Sequence, residues 1–219
     1  MMKVKVCGMR EAENIREVEA LGIDWLGLIF WPRSKRYVAQ RPAYLPEQAK
    51  RVGVFVDTTI EDIAQHAKDY GLDFVQLHGH ESPAFVKQLR ETIGQPLIKA
   101  FNIAAAEDFL QTEPYERLTD YFLFDTRKPT EETGGRHLPG GTGEKFDWAV
   151  LTNYHGETPF ILSGGIGPDD AECVKSFHQR KCVGIDLNSR FETAPAIKDI
   201  KALRFFLEAL GDLGLPRKI

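Results

Sequence analysis

Six side chains that can transfer a proton or hold a polar ligand stand at the ends of short apolar runs. They are, in chain order, Cys7, Asp57, His78, Asp125, Ser163 and Asp186. Carboxylates, an imidazole and a thiol are groups that proteins use as general acids and bases. A second set follows the last two runs and consists of Gly164, Gly165, Asn188 and Ser189. Glycine lets backbone N–H groups approach an anion closely, so this set indicates a phosphate site, although a glycine pair also suits a tight strand-to-helix turn.

The apolar runs predict buried parallel strands. Each run is short, rich in Val, Ile, Leu and Phe, and hardly alternates with polar residues, as in strands that are covered on both faces. Eight runs can be counted, at 3–7, 25–30, 52–57, 74–78, 97–101, 121–125, 159–163 and 183–187. Between them apolar residues recur at helical spacing, as at Ile60, Ile63, Ala64 and Ala67. We therefore expect a strand followed by a helix eight times.

Such alternation is compatible with an open doubly wound sheet or with a closed barrel. Eight nearly equal units favour the α/β class with a single (β/α)8 TIM barrel of parallel strands over residues 1–219. Gly27, Gly53 and Gly184 lie inside the runs, and we expect them to face a crowded barrel interior. The long polar stretch at about 126–145 predicts a flap. In such barrels the loops after the strands converge on one mouth, which brings the candidate side chains together.

Composition limits the classes of function. The chain has 28 Lys and Arg against 32 Asp and Glu, and its basic residues are scattered, which argues against nucleic acid and membrane surfaces as partners. No apolar run is long enough for a membrane span, and the start of the chain lacks the apolar stretch of a signal peptide, so we expect a cytoplasmic protein. Its three cysteines have no CxxC spacing, so we expect neither disulfides nor bound metal, with Cys173 and Cys182 as core residues.

Several longer motifs occur in a fixed order along the chain. They are Val6-Cys7-Gly8, Leu28-Ile29-Phe30 with Ser34-Lys35-Arg36-Tyr37, Val52-Gly53-Val54-Phe55-Val56, Gln76-Leu77-His78-Gly79, Phe124-Asp125-Thr126, Gly140-Gly141-Thr142-Gly143 with Phe146-Asp147-Trp148, Leu162-Ser163-Gly164-Gly165 and Gly184-Ile185-Asp186. Together they resemble the motifs of the phosphoribosylanthranilate isomerase family of tryptophan biosynthesis. The resemblance covers essentially the whole chain, and the ordered set is far more specific than any one motif.

The resemblance implies an aldose–ketose isomerase that needs no cofactor and no metal. Its reaction is the Amadori rearrangement of N-(5′-phosphoribosyl)anthranilate to 1-(2-carboxyphenylamino)-1-deoxyribulose 5-phosphate. By the same resemblance Cys7 is the general base, Asp125 is the general acid, and Arg36 holds the anthranilate carboxylate. The remaining substrate-binding positions that it implies lie at the phosphate end and are Gly164, Gly165, Asp186, Asn188 and Ser189. His78 ends the fourth strand at the barrel mouth and is either a substrate-binding residue or a hydrogen-bonded structural histidine. The family allows a monomer or a homodimer.

The assigned roles make physical demands. Only a thiolate is a base, so we expect the surroundings of Cys7, such as a helix N-terminus or a developing substrate cation, to favour its ionised form. Asp125 must instead hold its proton, which a dehydrated apolar setting favours. Asp57 is interpreted as a cap of the following helix.

One departure from the family pattern concerns the phosphate end. The loop after the eighth strand usually reads Asp-Val-Ser-Ser-Gly in the family, and here it reads Asp186-Leu187-Asn188-Ser189-Arg190. Arg190 either contacts the phosphate or is simply solvated.

Two other functions stay open. One is another phosphate-binding barrel enzyme, such as an indole-glycerol-phosphate synthase, which should use a lysine as acid, or a ribulose-phosphate epimerase, which should show several histidine metal ligands. Neither constellation is evident in the sequence. The other is a non-catalytic phosphosugar-binding barrel that has lost turnover.

Overall fold

The computed structural model describes residues 2–126 and 148–211. In these residues eight parallel strands close into a barrel in chain order, with the last strand hydrogen-bonded to the first. The strands are β1 (Lys3–Val6), β2 (Trp25–Ile29), β3 (Lys50–Phe55), β4 (Phe74–Leu77), β5 (Leu97–Asn102), β6 (Tyr121–Asp125), β7 (Phe160–Ser163) and β8 (Cys182–Leu187). Each lies within two residues of its predicted bounds, and the predicted parallel barrel is confirmed.

The described α-helices are α1 (Ala12–Glu19), α2 (Ile60–Tyr70), α3 (Pro83–Thr92), α4 (Ala171–Ser176) and α5 (Ile200–Ala209). Shorter 3-10 helices span Ala106–Tyr115, Trp148–Asn153, Pro168–Asp170 and Ser189–Phe191. A hairpin of β9 (Glu192–Ala194) and β10 (Ile197–Lys198) lies between β8 and α5. None of these helices is long and apolar enough to cross a membrane.

The expected α-helix is absent after β2 and after β5, and after β6 the described residues of the crossover form only the 3-10 helix Trp148–Asn153. After β2, residues 30–49 form an irregular segment, and after β5 a 3-10 helix replaces the α-helix. Three prolines in the irregular segment, at positions 32, 42 and 46, disfavour a helix there. The buried carboxylate of Glu19 closes the segment onto α1, since its Oε1 accepts the backbone N–H groups of Glu47, Gln48 and Ala49 at 2.7–2.9 Å.

The core has two layers. Trp25, Val52, Ile98, Ala100, Leu123 and Ile161 fill the barrel interior, and a larger apolar cluster lies between the barrel and the helices. Gly53 faces this outer layer, because a Cβ added there would lie 2.3 Å from Leu72 Cδ1. The prediction that Gly53 faces the interior is therefore wrong. At Gly184 an added Cβ would meet the backbone O of Lys3 on β1 at 2.8 Å.

The helices after β3 and β4 are capped by hydroxyl side chains and not by the predicted Asp57. Thr59 caps α2 by accepting the N–H of Asp62, and Ser82 caps α3 in the same way. Asp57 is not a cap: its carboxylate accepts the backbone N–H of His80 at 2.5 Å, and its φ of 47° places it in the left-handed region. The flap expected at about 126–145, with the Gly140-Gly141-Thr142-Gly143 motif, lies outside the described residues beyond Thr126.

Candidate active site

The predicted site residues meet around one open cavity at the C-terminal mouth of the barrel. The cavity measures about 770 Å³ including its opening to solvent. Eight of the nine predicted residues line it, namely Cys7, Arg36, His78, Gly164, Gly165, Asp186, Asn188 and Ser189. They come from the ends of β1, β4, β7 and β8 and from the irregular segment after β2. Because all strands are parallel, their carboxyl ends share this mouth.

Asp125, the ninth predicted residue, ends β6 and is only 1% exposed. A Cβ added to Gly164 would lie 2.8 Å from its Oδ1, so the carboxyl group packs directly against the cavity-lining glycine. His78 Nε2 lies 3.9 Å from Asp125 Oδ2, and Nδ1 of the same ring lies 2.9 Å from Gln76 Nε2. The amide therefore orients the imidazole, which in turn faces the carboxyl group of the predicted acid.

Cys7 lies where the first strand meets the cavity and is 3% exposed. Gly27 on β2 faces inward as predicted and makes room for the thiol, because an added Cβ would lie 2.6 Å from Cys7 Sγ. Burial raises the pKa of the Cys7 thiol, and the neighbouring ammonium of Lys5 only partly opposes this effect. Desolvation therefore outweighs the nearby cations in the unliganded site, and the predicted help from a developing substrate cation stays a prediction.

A buried ion pair lies beside the thiol. Lys5 Nζ is 2.9 Å from Asp186 Oδ1, and the lysine side chain is fully buried. Ser163 Oγ donates more weakly to the other oxygen of Asp186, at 3.5 Å. Asp186 thus lines the cavity and holds a cation at its floor. Lys5 is not among the predicted site residues, although two-residue spacing on a strand places it on the same face as Cys7.

Arg36 occupies the cavity wall with part of its guanidinium already engaged. Its Nε and Nη2 donate to the two carboxylate oxygens of Glu192 at 2.7 and 2.5 Å. Glu192 also accepts from the buried Lys198 Nζ at 2.6 Å, and the same ammonium donates to Asn188 Oδ1 at 2.8 Å. The fork expected to hold a substrate carboxylate is therefore paired with Glu192, which leaves the Nη1 end of the guanidinium for a ligand.

The glycine-rich turn after β7 has the geometry of a close-approach loop. Gly164 and Gly165 have φ values of 97° and 70°, which side-chain-bearing residues adopt only with strain. Arg190 lines the same part of the cavity, and its Nε lies 2.5 Å from where a Cβ of Gly167 would be. The guanidinium of Arg190 therefore lies close to the backbone of the turn after β7. In the family pattern the position of Arg190, in the loop after β8, is usually a glycine.

Several residues that shape this site are absent from the sequence-based prediction. They are Lys5, Gln76, Glu192 and Lys198. The alternation of β4 could have found Gln76, which precedes His78 by two residues. Glu192 and Lys198 lie on the β9–β10 hairpin, which the sequence does not predict because these strands are not part of an apolar run.

The predicted core role of the other two cysteines is also wrong in part. Cys173 is exposed, and Cys182 is half-buried. Both are free thiols.

Comparisons with known proteins identify the family of this chain. The profile of the N-(5′-phosphoribosyl)anthranilate (PRA) isomerase family matches residues 4–209. A relative from Parabacteroides distasonis, named N-(5′-phosphoribosyl)anthranilate isomerase, is 51% identical over 215 residues, covering 95% of this chain and 93% of its own.

Solved structures extend the similarity to the fold. Phosphoribosyl anthranilate isomerase from Thermotoga maritima is 28% identical, with a TM-score of 0.80 and coverage of 97% of this chain and 100% of its own. A phosphoribosyl anthranilate isomerase in complex with reduced 1-(o-carboxyphenylamino)-1-deoxyribulose 5-phosphate superposes with a TM-score of 0.76 at 25% identity and the same coverage. The chain belongs to the N-(5′-phosphoribosyl)anthranilate isomerase family.

Proposed function

We propose that this protein isomerises N-(5′-phosphoribosyl)anthranilate to 1-(2-carboxyphenylamino)-1-deoxyribulose 5-phosphate in tryptophan biosynthesis, with Asp125 as general acid and Cys7 as general base. One observation carries the assignment of roles: a thiol and a carboxyl group, both nearly fully buried, lie at the same barrel mouth beside a cavity with cationic and glycine-rich walls. A relative with a bound product-like phosphate ester supports the substrate class.

The first step needs an acid. The carboxyl group of Asp125 donates its proton to the furanose ring oxygen, the bond from C1′ to that oxygen breaks, and the electron pair of the anthranilate nitrogen forms an iminium ion. Burial of Asp125 at the β6 end, against Gly164 and facing His78, keeps water away from this proton. His78 lies next to the Asp125 carboxyl group and lines the cavity, so its ring borders the path of this proton.

The second step needs a base. The Cys7 thiolate removes the proton from C2′, a double bond forms between C1′ and C2′, and the iminium nitrogen becomes a neutral amine. The resulting enolamine gains a proton at C1′ and loses one from its C2′ hydroxyl, which gives the ketose. The site is reset when Cys7 gives up its proton and Asp125 regains one. Because burial raises the pKa of Cys7, the positive iminium ion adds to the nearby cations in favouring ionisation of the thiol at the moment of reaction.

The two charged ends of the substrate match the two walls of the cavity. We assign the phosphate to the backbone of Gly164 and Gly165 with Asn188 and Ser189, and Arg190 beside them adds a cation. Arg36 receives the anthranilate carboxylate through the end of its guanidinium that Glu192 does not occupy. Asp186 acts at the floor through its pair with Lys5.

The remaining assignments are coarser. We infer a cytoplasmic enzyme that needs neither cofactor nor metal, with a small phosphorylated molecule and no nucleic acid as its partner. A Thermotoga maritima relative is described as dimeric, and for this chain we keep monomer or homodimer as the prediction.

Turnover separates this proposal from a phosphosugar-binding barrel without activity and from other barrel enzymes. Purified protein is mixed with N-(5′-phosphoribosyl)anthranilate, and loss of substrate and appearance of the aminoketose are followed after extensive dialysis against a metal chelator. We expect conversion at rates that scale with protein concentration. Binding without conversion would refute the catalytic proposal and favour the non-catalytic barrel.

A further inference from the structure

Lys5 is a buried cation that the acid–base steps above do not use. Its side chain is fully buried in the barrel, and its Nζ lies 2.9 Å from Asp186 Oδ1. Strands β1 and β8 pair these two residues directly, so the backbone itself fixes the contact. An isolated lysine at such a position would be strongly destabilising, because moving an ammonium out of water costs several kcal/mol.

Stability alone does not account for this pair. Replacing a buried ion pair with well-packed apolar side chains is often neutral or stabilising. The surrounding interior already contains such side chains, including Ile161 and Trp25. A lysine at this place therefore points to a use for its charge.

The role of this charge follows from the position of Lys5 relative to Cys7. Cys7 directly follows β1, two residues after Lys5, and both side chains face the same side of the strand. The buried ammonium and the thiol therefore share the barrel interior, and the positive charge of Lys5 acts on the Cys7 sulfur. Although burial lowers the pKa of Lys5, attraction by Asp186 and Cys7 raises it above its ordinary value, so the cation is retained at neutral pH. The charge is thus fixed beside the atom that becomes negative.

We propose that Lys5 is a positioning residue that keeps its ammonium on the same inner face of β1 as Cys7 and so stabilises the thiolate form of the base, while Asp186 fixes the ammonium in place. The inference rests on the proposed role of Cys7 as base. The charges of Arg36 and Lys198 also favour the thiolate of Cys7, and the Asp186 carboxylate opposes them. Lys5 is the cation with the largest effect among them, after the opposing effect of burial.

The test titrates the thiol directly, without substrate. In a Cys173→Ser/Cys182→Ser background Cys7 is the remaining cysteine, and its alkylation rate by iodoacetamide is measured against pH for Lys5 and Lys5→Met proteins. We expect Lys5→Met to raise the titration midpoint of Cys7 by about one to three pH units. At neutral pH kcat should fall by about 10- to 1000-fold, and the loss should shrink as pH rises through the new midpoint.

Two further variants separate charge from packing. Lys3→Met is the matched control, because Lys3 lies on the same strand and pairs with Asp24 away from the cavity, and it should leave the midpoint unchanged. Lys5→Met/Asp186→Asn avoids a stranded carboxylate, so it should fold if Lys5→Met does not. In the double variant the titration midpoint of Cys7 should lie between the midpoints of the parent and of Lys5→Met. If Lys5→Met cannot be purified, the midpoint of the double variant should still lie above that of the parent.

A midpoint in folded Lys5→Met, or in the double variant, that is unchanged from the parent would overturn the inference and leave Lys5 as a structural residue. This outcome is distinct from failure of the proposed function. Absence of turnover by the unaltered protein would refute the function, whereas the thiol titration reports on Lys5 regardless of turnover.

Discussion

Gly27 sets how closely β2 approaches the thiol of Cys7, and Gly27→Ala tests whether the position of that thiol limits the reaction. The added Cβ would lie 2.6 Å from Cys7 Sγ and 3.1 Å from its Cα. Nonbonded carbon atoms normally stay about 3.5–4.0 Å apart, so Cys7 has to retreat by about 1 Å. A misplacement of about 1 Å at a reacting group costs about 100-fold in rate.

The assay compares kcat, KM and the free energy of unfolding for Gly27→Ala and Gly53→Ala. Gly53 is the matched control because its added Cβ would be just as crowded, at 2.3 Å from Leu72 Cδ1, but in the outer layer of the core. Overpacking should lower the free energy of unfolding of both variants by about 1–3 kcal/mol. We expect Gly27→Ala alone to lose about 100-fold in kcat.

Two results would refute this reasoning. One is a Gly27→Ala enzyme whose kcat stays within about threefold of the unaltered protein, which would mean that the thiol tolerates displacement of about 1 Å. The other is an equal loss of kcat in Gly53→Ala, which would assign the effect to general destabilisation.

Three further predictions follow from the charged groups. Because burial raises the pKa of Cys7, kcat/KM should keep rising with pH beyond the ordinary thiol value of about 8.5, and a plateau already at pH 7 would contradict the assigned base. Glu192→Gln weakens the anchor of Arg36, so KM should rise about tenfold while kcat changes little, and an unchanged KM would show that Arg36 is held by other contacts. Glu19→Gln should lower the free energy of unfolding by about 1–2 kcal/mol at pH 7. Burial opposes ionisation of Glu19, but hydrogen bonding from Tyr44 and three backbone N–H groups lowers its pKa in the folded state. The stabilisation by the carboxylate is therefore complete above the unfolded-state pKa of about 4.3, and it is lost as pH falls through the folded-state pKa. Denaturant titrations of both proteins at a series of pH values should show the difference in free energy of unfolding closing over that range.

The barrel could be predicted from the sequence because buried parallel strands are continuous apolar runs. All eight strands lie within two residues of those runs. The segment after β2 could not be predicted in the same way, because its conformation depends on Glu19, a charged residue from another element that is buried only once the chain has folded. Long-range hydrogen bonds of this kind leave no local periodicity.

The site shows the same division. Strand ends and glycine turns mark Cys7, Asp125 and Gly164 in the sequence, since position in the barrel already places them at the mouth. The partners that tune them are set by strand register and by the hairpin after β8. Lys5 meets Asp186 through the pairing of β1 with β8, and Glu192 meets Arg36 across 156 residues of sequence. The direction of the Cys7 pKa shift depends on that full surrounding and could not be read from residue types.

The central claim is that Cys7 and Asp125 carry the two proton transfers, and the kcat of Cys7→Ala and Asp125→Asn with N-(5′-phosphoribosyl)anthranilate tests it most directly. Acid–base groups contribute about 10²–10⁴-fold, so each variant should lose at least about 100-fold in kcat while KM stays within a few fold of the unaltered protein. A kcat within tenfold of the unaltered protein in either variant would contradict the role assigned to that residue.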